Sequence, residues 1–370
     1  KQRKENSKKM ASLKTIKNKS IKDAKRIVIK IGSSLIINNK TRNLNYRWMK
    51  SLAENIDFLI KNKKEVLIVT SGAIALGKNE LNLNKQSLKL HEKQACAATG
   101  QILLAKGWKE VFETLSLKCA QILVGHSDLE TRRSAMNARV TLNTLLKLNT
   151  IPVINENDTV ATIEIRYGDN DQLAGRVAHL VGADLVILLS DVEGLYTGDP
   201  KRNKKVKFIS KVEEISEEIE KMAKNTKSFM ASGGMTTKIK AAKIALSGGC
   251  NLIISEGSET GGLLRLIEGG KCTLFSAKEN PRSARKKWIA SNRNKSKNIV
   301  IDNGAESALI SGNSLLPAGI IRSSENFKRG ETIEIVSENK KIIGCGIVAY
   351  DSEEVKQISG KKSKKIIELL

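Results

Sequence analysis

The stretch Arg26–Ser34, RIVIKIGSS, joins a short and nearly continuous apolar run to a turn made of glycine and serine. A run of this kind is typical of a strand that is buried on both faces of a parallel sheet. Similar apolar runs recur at 66–69, 120–124, 152–154, 185–189 and 251–254. Helix-like stretches separate them at 46–62, 88–115, 132–148, 172–181 and 235–246. The alternation predicts an α/β fold: an open, mostly parallel αβα sandwich built from βαβ units.

Polar residues follow these apolar runs, at the points where the predicted strands end or in the loops beyond. Open parallel sheets bind their ligands outside the carboxyl ends of the strands, so chemistry is expected there. The segments concerned are Lys30–Ser34, Thr70–Ala73, Asn155–Asp158, Gly168–Asp171, Ser190–Tyr196 and Ser232–Lys238.

Three of these segments contain glycine turns that suit a phosphate group. They are Gly32-Ser33-Ser34 after the first predicted strand, Ser71-Gly72 after the second, and Ser232-Gly233-Gly234 ahead of the helix-like stretch 235–246. Such turns present backbone N–H groups and the positive end of a helix dipole. The sequence has neither G-x-x-x-x-G-K-[ST] nor G-x-G-x-x-G, so the common NTPase loop and the dinucleotide fingerprint are excluded.

Lys30 and Lys238 are the candidate cations for phosphoryl transfer, a reaction that depends on fixed positive charge more than on a strong base. Lys30 lies in an apolar strand just before a glycine turn, and Lys238 lies in the first turn of a predicted helix. Taken singly, each is explained as readily by a strand-end lysine that reaches solvent or by a surface helix residue. Their neighbours favour a functional interpretation of the pair.

Three carboxylates, Asp158, Asp169 and Asp171, occur on predicted turns beside Asn157 and Asn170. A carboxylate there can hold an ammonium group, orient a lysine or help to hold a metal ion. The alternative is that these residues only form turns, a frequent role of Asp and Asn. Two such clusters near strand ends favour function.

The composition indicates a two-domain globular chain with an excess of positive charge. The chain has 370 residues and a formal net charge of +25, which points to a polyanionic partner or to a lysine-rich composition without one. Its five cysteines are scattered, with no C-x-x-C pair, so a zinc site and a disulfide framework are not indicated. No apolar run is long enough to span a bilayer, and we expect a cytoplasmic protein without a membrane partner.

The pattern of apolar and polar residues also divides the chain. Residues 1–24 are basic and polar and are predicted to form a disordered tail, followed by the α/β domain at 25–277. A polar, basic stretch at 278–295 is predicted to be a linker. Short β-like runs then predict a small β-rich domain at 296–370. Those runs are 298–301, 319–321, 332–336 and 341–350.

Together these motifs resemble the amino acid kinase family, over residues 26 to the C-terminus. The motifs are RIVIKIGSS, VTSGAIALG (69–77), PVINENDTVAT (152–162), YGDNDQL (167–173), SDVEGLYTGDP (190–200) and SGGMTTK (232–238). NENDTVAT followed by GDNDQL narrows the resemblance to members that phosphorylate glutamate. Residues 297–370, with NGAESAL and SLLPAGI, resemble the PUA domain that many bacterial members carry. The chain stops short of the usual ending of that domain, so its completeness is left open.

The resemblance implies transfer of the γ-phosphoryl group of ATP to the side-chain carboxylate of L-glutamate, the first step of proline biosynthesis. It implies that Lys30 and Lys238 stabilise the transferring group and that Asp171 holds these two lysines. The residues expected to bind glutamate are Ser71, Asp158, Asn170 and Asp169. Those expected to bind the nucleotide are Lys30, Gly32, Ser33, Ser190, Asp191, Ser232, Gly233, Gly234, Met235, Thr236, Thr237 and Lys238.

The same resemblance implies Mg²⁺ bound to the ATP phosphates, and no protein metal ligand is predicted. Family members often form homo-oligomers, here expected to be a dimer or tetramer, and are often inhibited by proline. Two alternatives stay open. One is another carboxylate kinase of the same fold, similar to acetylglutamate kinase. The other is an RNA-binding protein that acts through its PUA-like domain.

Overall fold

The computed structural model describes residues 16–38, 40–83, 85, 87–160, 170–200, 203, 205–224, 234–291, 294–324 and 326–361. The chain forms two compact units, the first made of residues up to 130 together with 138–282, the second of 131–137 and 283–370. Within the described residues, no helix is long and apolar enough to cross a membrane.

The α/β part of the chain alternates strands and helices. Its strands are β1 (Arg26–Ile31), β2 (Glu65–Val69), β3 (Lys118–Val124), β4 (Thr150–Glu156), β5 (Leu185–Ser190), β6 (Leu195–Tyr196), β7 (Phe208–Ile209), β8 (Lys211–Val212), β9 (Asn251–Glu256) and β10 (Thr273–Phe275). Its helices are α1 (Lys19–Asp23), α2 (Ser33–Ile36), α3 (Tyr46–Lys61), α4 (Ala73–Glu80), α5 (Leu90–Glu113), α6 (His126–Glu130), α7 (Arg132–Lys147), α8 (Asn170–Val181), α9 (Glu217–Lys224), α10 (Met235–Ser247) and α11 (Gly262–Ile267).

The central sheet has eight strands in the order β3-β4-β2-β1-β5-β9-β10-β8. Its neighbouring strands pair in parallel, apart from the antiparallel pair of β9 and β10. β6 and β7 form a separate antiparallel ribbon. The predicted class, a mostly parallel α/β sandwich, is therefore confirmed.

Alternation along β1 explains why its apolar run is continuous. Ile27, Ile29 and Ile31 belong to the core cluster that includes residues of α3 and α5, whereas Val28 belongs to the cluster that includes residues of α8 and α10. Side chains on a strand alternate between its two faces, so both faces of β1 are buried. Lys30 is two positions after Val28, so their side chains lie on the same face of β1. The strand geometry therefore directs it towards the face covered by α8 and α10.

The predicted disordered tail is wrong for residues 16–24. Helix α1 begins after Asn18, whose side chain accepts a hydrogen bond from the backbone N–H of Ile21. Ile21 is fully buried, and Ile16 and Ala24 belong to the same core cluster as Ile27. Sparse apolar residues among many lysines hid this segment from the sequence interpretation. Burial of these three apolar side chains stabilises the segment against the core.

The second unit contains a four-stranded sheet. Its elements are α12 (Pro281–Ser291), β11 (Asn294–Ile301), α13 (Asn303–Ile310), β12 (Ile320–Ser323), β13 (Thr332–Ser337), β14 (Ile342–Ile347) and α14 (Ser352–Ile358). The strand order is β12-β11-β13-β14, with β11 parallel to β13 and the other pairs antiparallel. The predicted β-rich character is confirmed. The stretch predicted as a linker, 278–295, instead contains α12, which starts at a proline, a residue favoured in the first helical turn.

Two glycines let α4 and α5 pack with their backbones in contact. A Cβ atom on Gly77 would lie 1.8 Å from the carbonyl oxygen of Cys96, and one on Gly100 would lie 1.9 Å from that of Ala73. No side chain fits at such distances, so both positions require glycine. This contact fixes α5 directly behind the turn that follows β2.

We predict that Gly100→Ala lowers the free energy of unfolding by at least about 2 kcal/mol, because the methyl group would force the two helices apart. The higher helix propensity of alanine, worth about 1 kcal/mol, offsets only part of this loss. Urea denaturation would measure the change. Gly344→Ala serves as the control, since a Cβ atom there meets no atom within 4 Å. Wild-type stability of Gly100→Ala would contradict the packing argument.

Candidate active site

Two lysines share one buried carboxylate at the carboxyl edge of the sheet. Lys30 Nζ lies 2.6 Å from Asp171 Oδ1, and Lys238 Nζ lies 3.1 Å from Asp171 Oδ2. The side chains of Lys30, Lys238 and Asp171 are 9%, 5% and 1% exposed, respectively. These three described side chains therefore hold one net positive charge away from bulk water. Such a site attracts an anion and strengthens its interaction with it.

Three elements bring this cluster together. Lys30 extends from β1 on the face covered by α8 and α10, Asp171 lies in the first turn of α8, and Lys238 lies in the first turn of α10. A carboxylate in the first turn of a helix is also stabilised by the helix dipole. The hydroxyl of Thr237 lies 3.0 Å from Asp171 Oδ2 and 2.8 Å from the carbonyl oxygen of Gly234. Thr237 thus ties the start of α10 to the same carboxylate.

The pKa of Asp171 reflects its two cationic neighbours. Burial raises the pKa of this carboxyl group, but the charges and hydrogen bonds of Lys30 and Lys238 outweigh burial and hold it at about 2. The folded state therefore prefers the ionised form more than the unfolded chain does. The ion cluster contributes about 2 kcal/mol of stability above pH ~4, and this contribution is lost as the pH falls towards 2.

Asn170, next to Asp171 in the first turn of α8, is held by a network of hydrogen bonds. Its Nδ2 donates to the Thr70 carbonyl at 2.8 Å, to Ser71 Oγ at 2.7 Å and to Asn155 Oδ1 at 3.1 Å. Its Oδ1 is buried and accepts no hydrogen bond from any residue that the structure describes. A buried acceptor without a donor is costly, and a ligand N–H group would satisfy it.

Asp158 follows β4 and is the second buried acidic residue of this edge. Burial alone raises the pKa of its carboxyl group to about 6. Its carboxylate has no cationic partner among the described parts of the chain, in contrast to Asp171. A buried carboxylate of this kind suits a cationic ligand group such as an ammonium ion.

The residues predicted to bind a nucleotide divide into several groups. Gly32 and Gly234 cap α2 and α10 without a side-chain hydrogen bond, and the start of α10 offers backbone donors to an anion. Ser190 lies at the end of β5, and its hydroxyl donates a hydrogen bond to Asp191 Oδ1 at 3.1 Å. Ser33 is the first residue of α2.

Two further side chains of this predicted set are engaged within the protein. Met235 is buried in the core cluster on the α8 and α10 face, and the hydroxyl of Thr236 donates to the carbonyl of Ala223 at 3.4 Å. Both side chains are therefore directed into the protein, and binding of a nucleotide by these two residues stays a prediction. Asp169, Ser232 and Gly233 lie outside the described residues.

The sequence interpretation did not single out Gln101, and it noted Thr70 and Asn155 only as parts of their motifs. Asn155 Nδ2 donates to Gln101 Oε1 at 2.8 Å, which links α5 to the Asn170 network. The signal that could have revealed Gln101 is a partly buried polar residue on the same face of α5 as the buried residues Ala97 and Leu104. A polar group there needs a partner in the interior.

The described residues do not form a cage for a divalent cation. They contain no cluster of three or more His, Cys, Asp or Glu side chains that could hold a metal ion. Both carboxylate oxygens of Asp171 already face lysines. Mg²⁺ keeps most of its ligands as water and substrate phosphate oxygens, so it would enter this site bound to a nucleotide.

Comparison with known proteins decides the family. The sequence profile of the amino acid kinase family matches residues 25–255, and that of the PUA domain matches residues 297–370. The chain belongs to the amino acid kinase family. Glutamate 5-kinase from Brucella abortus (strain S19) is 47% identical over 352 residues, which cover 95% of this chain and 93% of the relative. Glutamate 5-kinase from Brucella anthropi shows the same identity and coverage.

Solved structures of two other kinases also align with this amino acid kinase chain. UMP kinase from Ureaplasma parvum aligns with a TM-score of 0.48 and 17% identity, covering 68% of this chain and 98% of that one. Carbamate kinase from Giardia lamblia bound to AMP-PNP aligns with a TM-score of 0.49 and 16% identity, covering 69% and 99%.

We predict that Asp158→Asn raises the free energy of unfolding at pH 8. The pKa of Asp158 is about 6 in the folded protein against an ordinary value of 3.8, so its ionisation destabilises the fold as the pH rises through this interval. Asparagine removes this penalty, which is at most about 3 kcal/mol. Urea denaturation at pH 8 and pH 4.5 would measure it. The gain should shrink at the lower pH, and a variant that is less stable than wild type at pH 8 would contradict the assignment.

Proposed function

We propose that the chain transfers the γ-phosphoryl group of ATP to the side-chain carboxylate of L-glutamate, giving γ-glutamyl phosphate, the first step of proline biosynthesis. The observation that carries the proposal is the buried cluster of Lys30, Asp171 and Lys238 with its net positive charge. The 47% identity to glutamate 5-kinases over most of the chain supports the choice of substrate.

The phosphoryl half of the reaction requires charge stabilisation rather than proton transfer. A carboxylate oxygen of glutamate attacks the γ-phosphorus, a new O–P bond forms, and the bond to the ADP leaving oxygen breaks. The attacking carboxylate is ionised at neutral pH, so no general base is needed. Lys30 and Lys238 would lie against the equatorial oxygens of the transferring group. Gly32, Ser33, Ser190, Asp191 and Gly234 would contact the nucleotide, together with the predicted Ser232 and Gly233.

In the part of the site proposed to bind glutamate, the described groups are acceptors suited to a free α-ammonium group. Asp158 provides a buried carboxylate, and Asn170 provides a buried Oδ1 that accepts no hydrogen bond from the described residues. Ser71, which already contacts Asn170, completes the set, and Asp169 stays a predicted member of it. An N-acetylated substrate would carry no positive charge to neutralise Asp158. This favours glutamate over acetylglutamate.

Four further assignments stay predictions: a cytoplasmic location, a homo-oligomeric state, inhibition by proline, and RNA binding by the PUA-like domain at 296–370. The PUA match at 297–370 supports the last of these as a subsidiary property, testable by the salt dependence of RNA binding to the full chain.

A substrate panel tests the proposed function. ATP-dependent formation of an acyl phosphate, trapped with hydroxylamine, would be measured with L-glutamate, N-acetyl-L-glutamate and L-aspartate. We expect turnover with glutamate and at most a few per cent of that rate with the other two. Equal or greater turnover with acetylglutamate would assign the alternative carboxylate kinase activity, and no turnover with glutamate would refute the proposal.

We predict that Lys238→Met lowers kcat by about 100-fold or more, because a fixed cation would be lost from the transferring phosphoryl group. The KM for glutamate should change little, since Lys238 belongs to the phosphoryl half of the site. Lys240→Met is the matched control, because Lys240 is exposed on the same helix. Steady-state kinetics would measure both variants. A kcat of Lys238→Met within tenfold of wild type would contradict the role.

A further inference from the structure

Three side-chain amides form a continuous chain from α5 to the proposed glutamate site. Asn155 Nδ2 donates to Gln101 Oε1 at 2.8 Å, and Asn170 Nδ2 donates to Asn155 Oδ1 at 3.1 Å. Asn155 and Asn170 are 2% and 4% exposed. A buried amide can rotate only if each of its donors and acceptors finds a new partner, so the members of such a chain constrain one another.

The orientation of Asn170 follows from its surroundings. The Thr70 carbonyl is only an acceptor, so it must face the Nδ2 group of Asn170. The same Nδ2 group also lies 2.7 Å from Ser71 Oγ and 3.1 Å from Asn155. An amide nitrogen is not an acceptor, so Asn155 must present Oδ1 to the Nδ2 of Asn170 and turn its own Nδ2 away. That Nδ2 then needs an acceptor, which Gln101 Oε1 provides.

Gln101 occupies a rigid position. It follows Gly100, where α5 touches the backbone of α4 with no space for a side chain. The helix therefore cannot shift to compensate for a change at Gln101. The backbone of α5 fixes the Cα of Gln101, and the hydrogen bond to Oε1 restrains the rotamer of Asn155.

We propose that Gln101 is a positioning residue for substrate recognition. Through Asn155 it holds Asn170 with Oδ1 directed at the substrate α-ammonium group, so it contributes to selection of amino acids over simple dicarboxylates. This inference rests on the proposed function. It adds a residue that touches neither substrate and that acts only on recognition of the amino group.

Glutarate, which lacks the amino group of glutamate, isolates this effect. For Gln101→Met, which keeps the side-chain length but removes the acceptor, we expect the KM for glutamate to rise about fivefold to tenfold, the equivalent of one hydrogen bond. The inhibition constant of glutarate as a competitor should stay within about twofold, as should kcat. Gln101→Glu retains an acceptor oxygen and should restore a near-normal KM.

Gln121→Met is the matched control. Gln121 lines the same small cavity as Gln101, beside Trp108 and Cys119, but no hydrogen bond joins it to the described part of the amide chain. If Gln101→Met does not fold, Gln101→Ala removes the same acceptor with less volume. An unchanged KM, an equal loss for glutamate and glutarate, or failure of Gln101→Glu to restore the KM would overturn the assignment. Wild-type protein without glutamate-dependent turnover would overturn the proposed function and this inference together.

Discussion

The contact of Asp171 with Lys30 and Lys238 is the interaction on which the rest of the site depends. Two ammonium groups held close together in the protein interior repel each other, and neither is well solvated there. The shared carboxylate makes their proximity tolerable, and these three described side chains together carry a net charge of +1. This buried charge raises the free energy of the protein without a ligand. A bound phosphate group would neutralise the charge and lower that free energy, so the cluster favours anion binding.

The fold places the carboxylate that holds the two lysines and one of the proposed ammonium-binding groups on two neighbouring residues of one helix. Asn170 and Asp171 both lie in the first turn of α8. Successive helical residues point about 100° apart, so one side chain reaches the β2 and β4 ends while the other reaches β1 and α10. A substrate that bridges the two groups would have its amino end and its reacting carboxylate positioned by a single rigid element. Binding of the substrate would then also orient its reacting carboxylate towards the transferring phosphoryl group.

Much of this could be predicted from sequence, because buried parallel strands leave a simple signature. The apolar runs located the principal strands, and the polar residues beyond them located the edge where Lys30, Asn170, Asp171 and Lys238 meet. The hydrogen-bond partners of individual side chains were harder to predict from the sequence. Thr237, predicted to bind a nucleotide, also contacts Asp171, and Met235 of the same motif belongs to the core, neither of which the sequence pattern indicated. Gln101 was missed because its partner lies 54 positions away in the chain, a pairing that only the fold creates.

Replacement of Asp171 by asparagine tests the central claim most directly. The substitution keeps the shape of the side chain but removes the charge that holds Lys30 and Lys238. For protein shown by circular dichroism to be folded, the account predicts that kcat with ATP and glutamate falls by about 1000-fold, while the KM for glutamate stays within a few-fold of wild type. A kcat within tenfold of wild type would show that the two lysines need no shared carboxylate and would contradict the account.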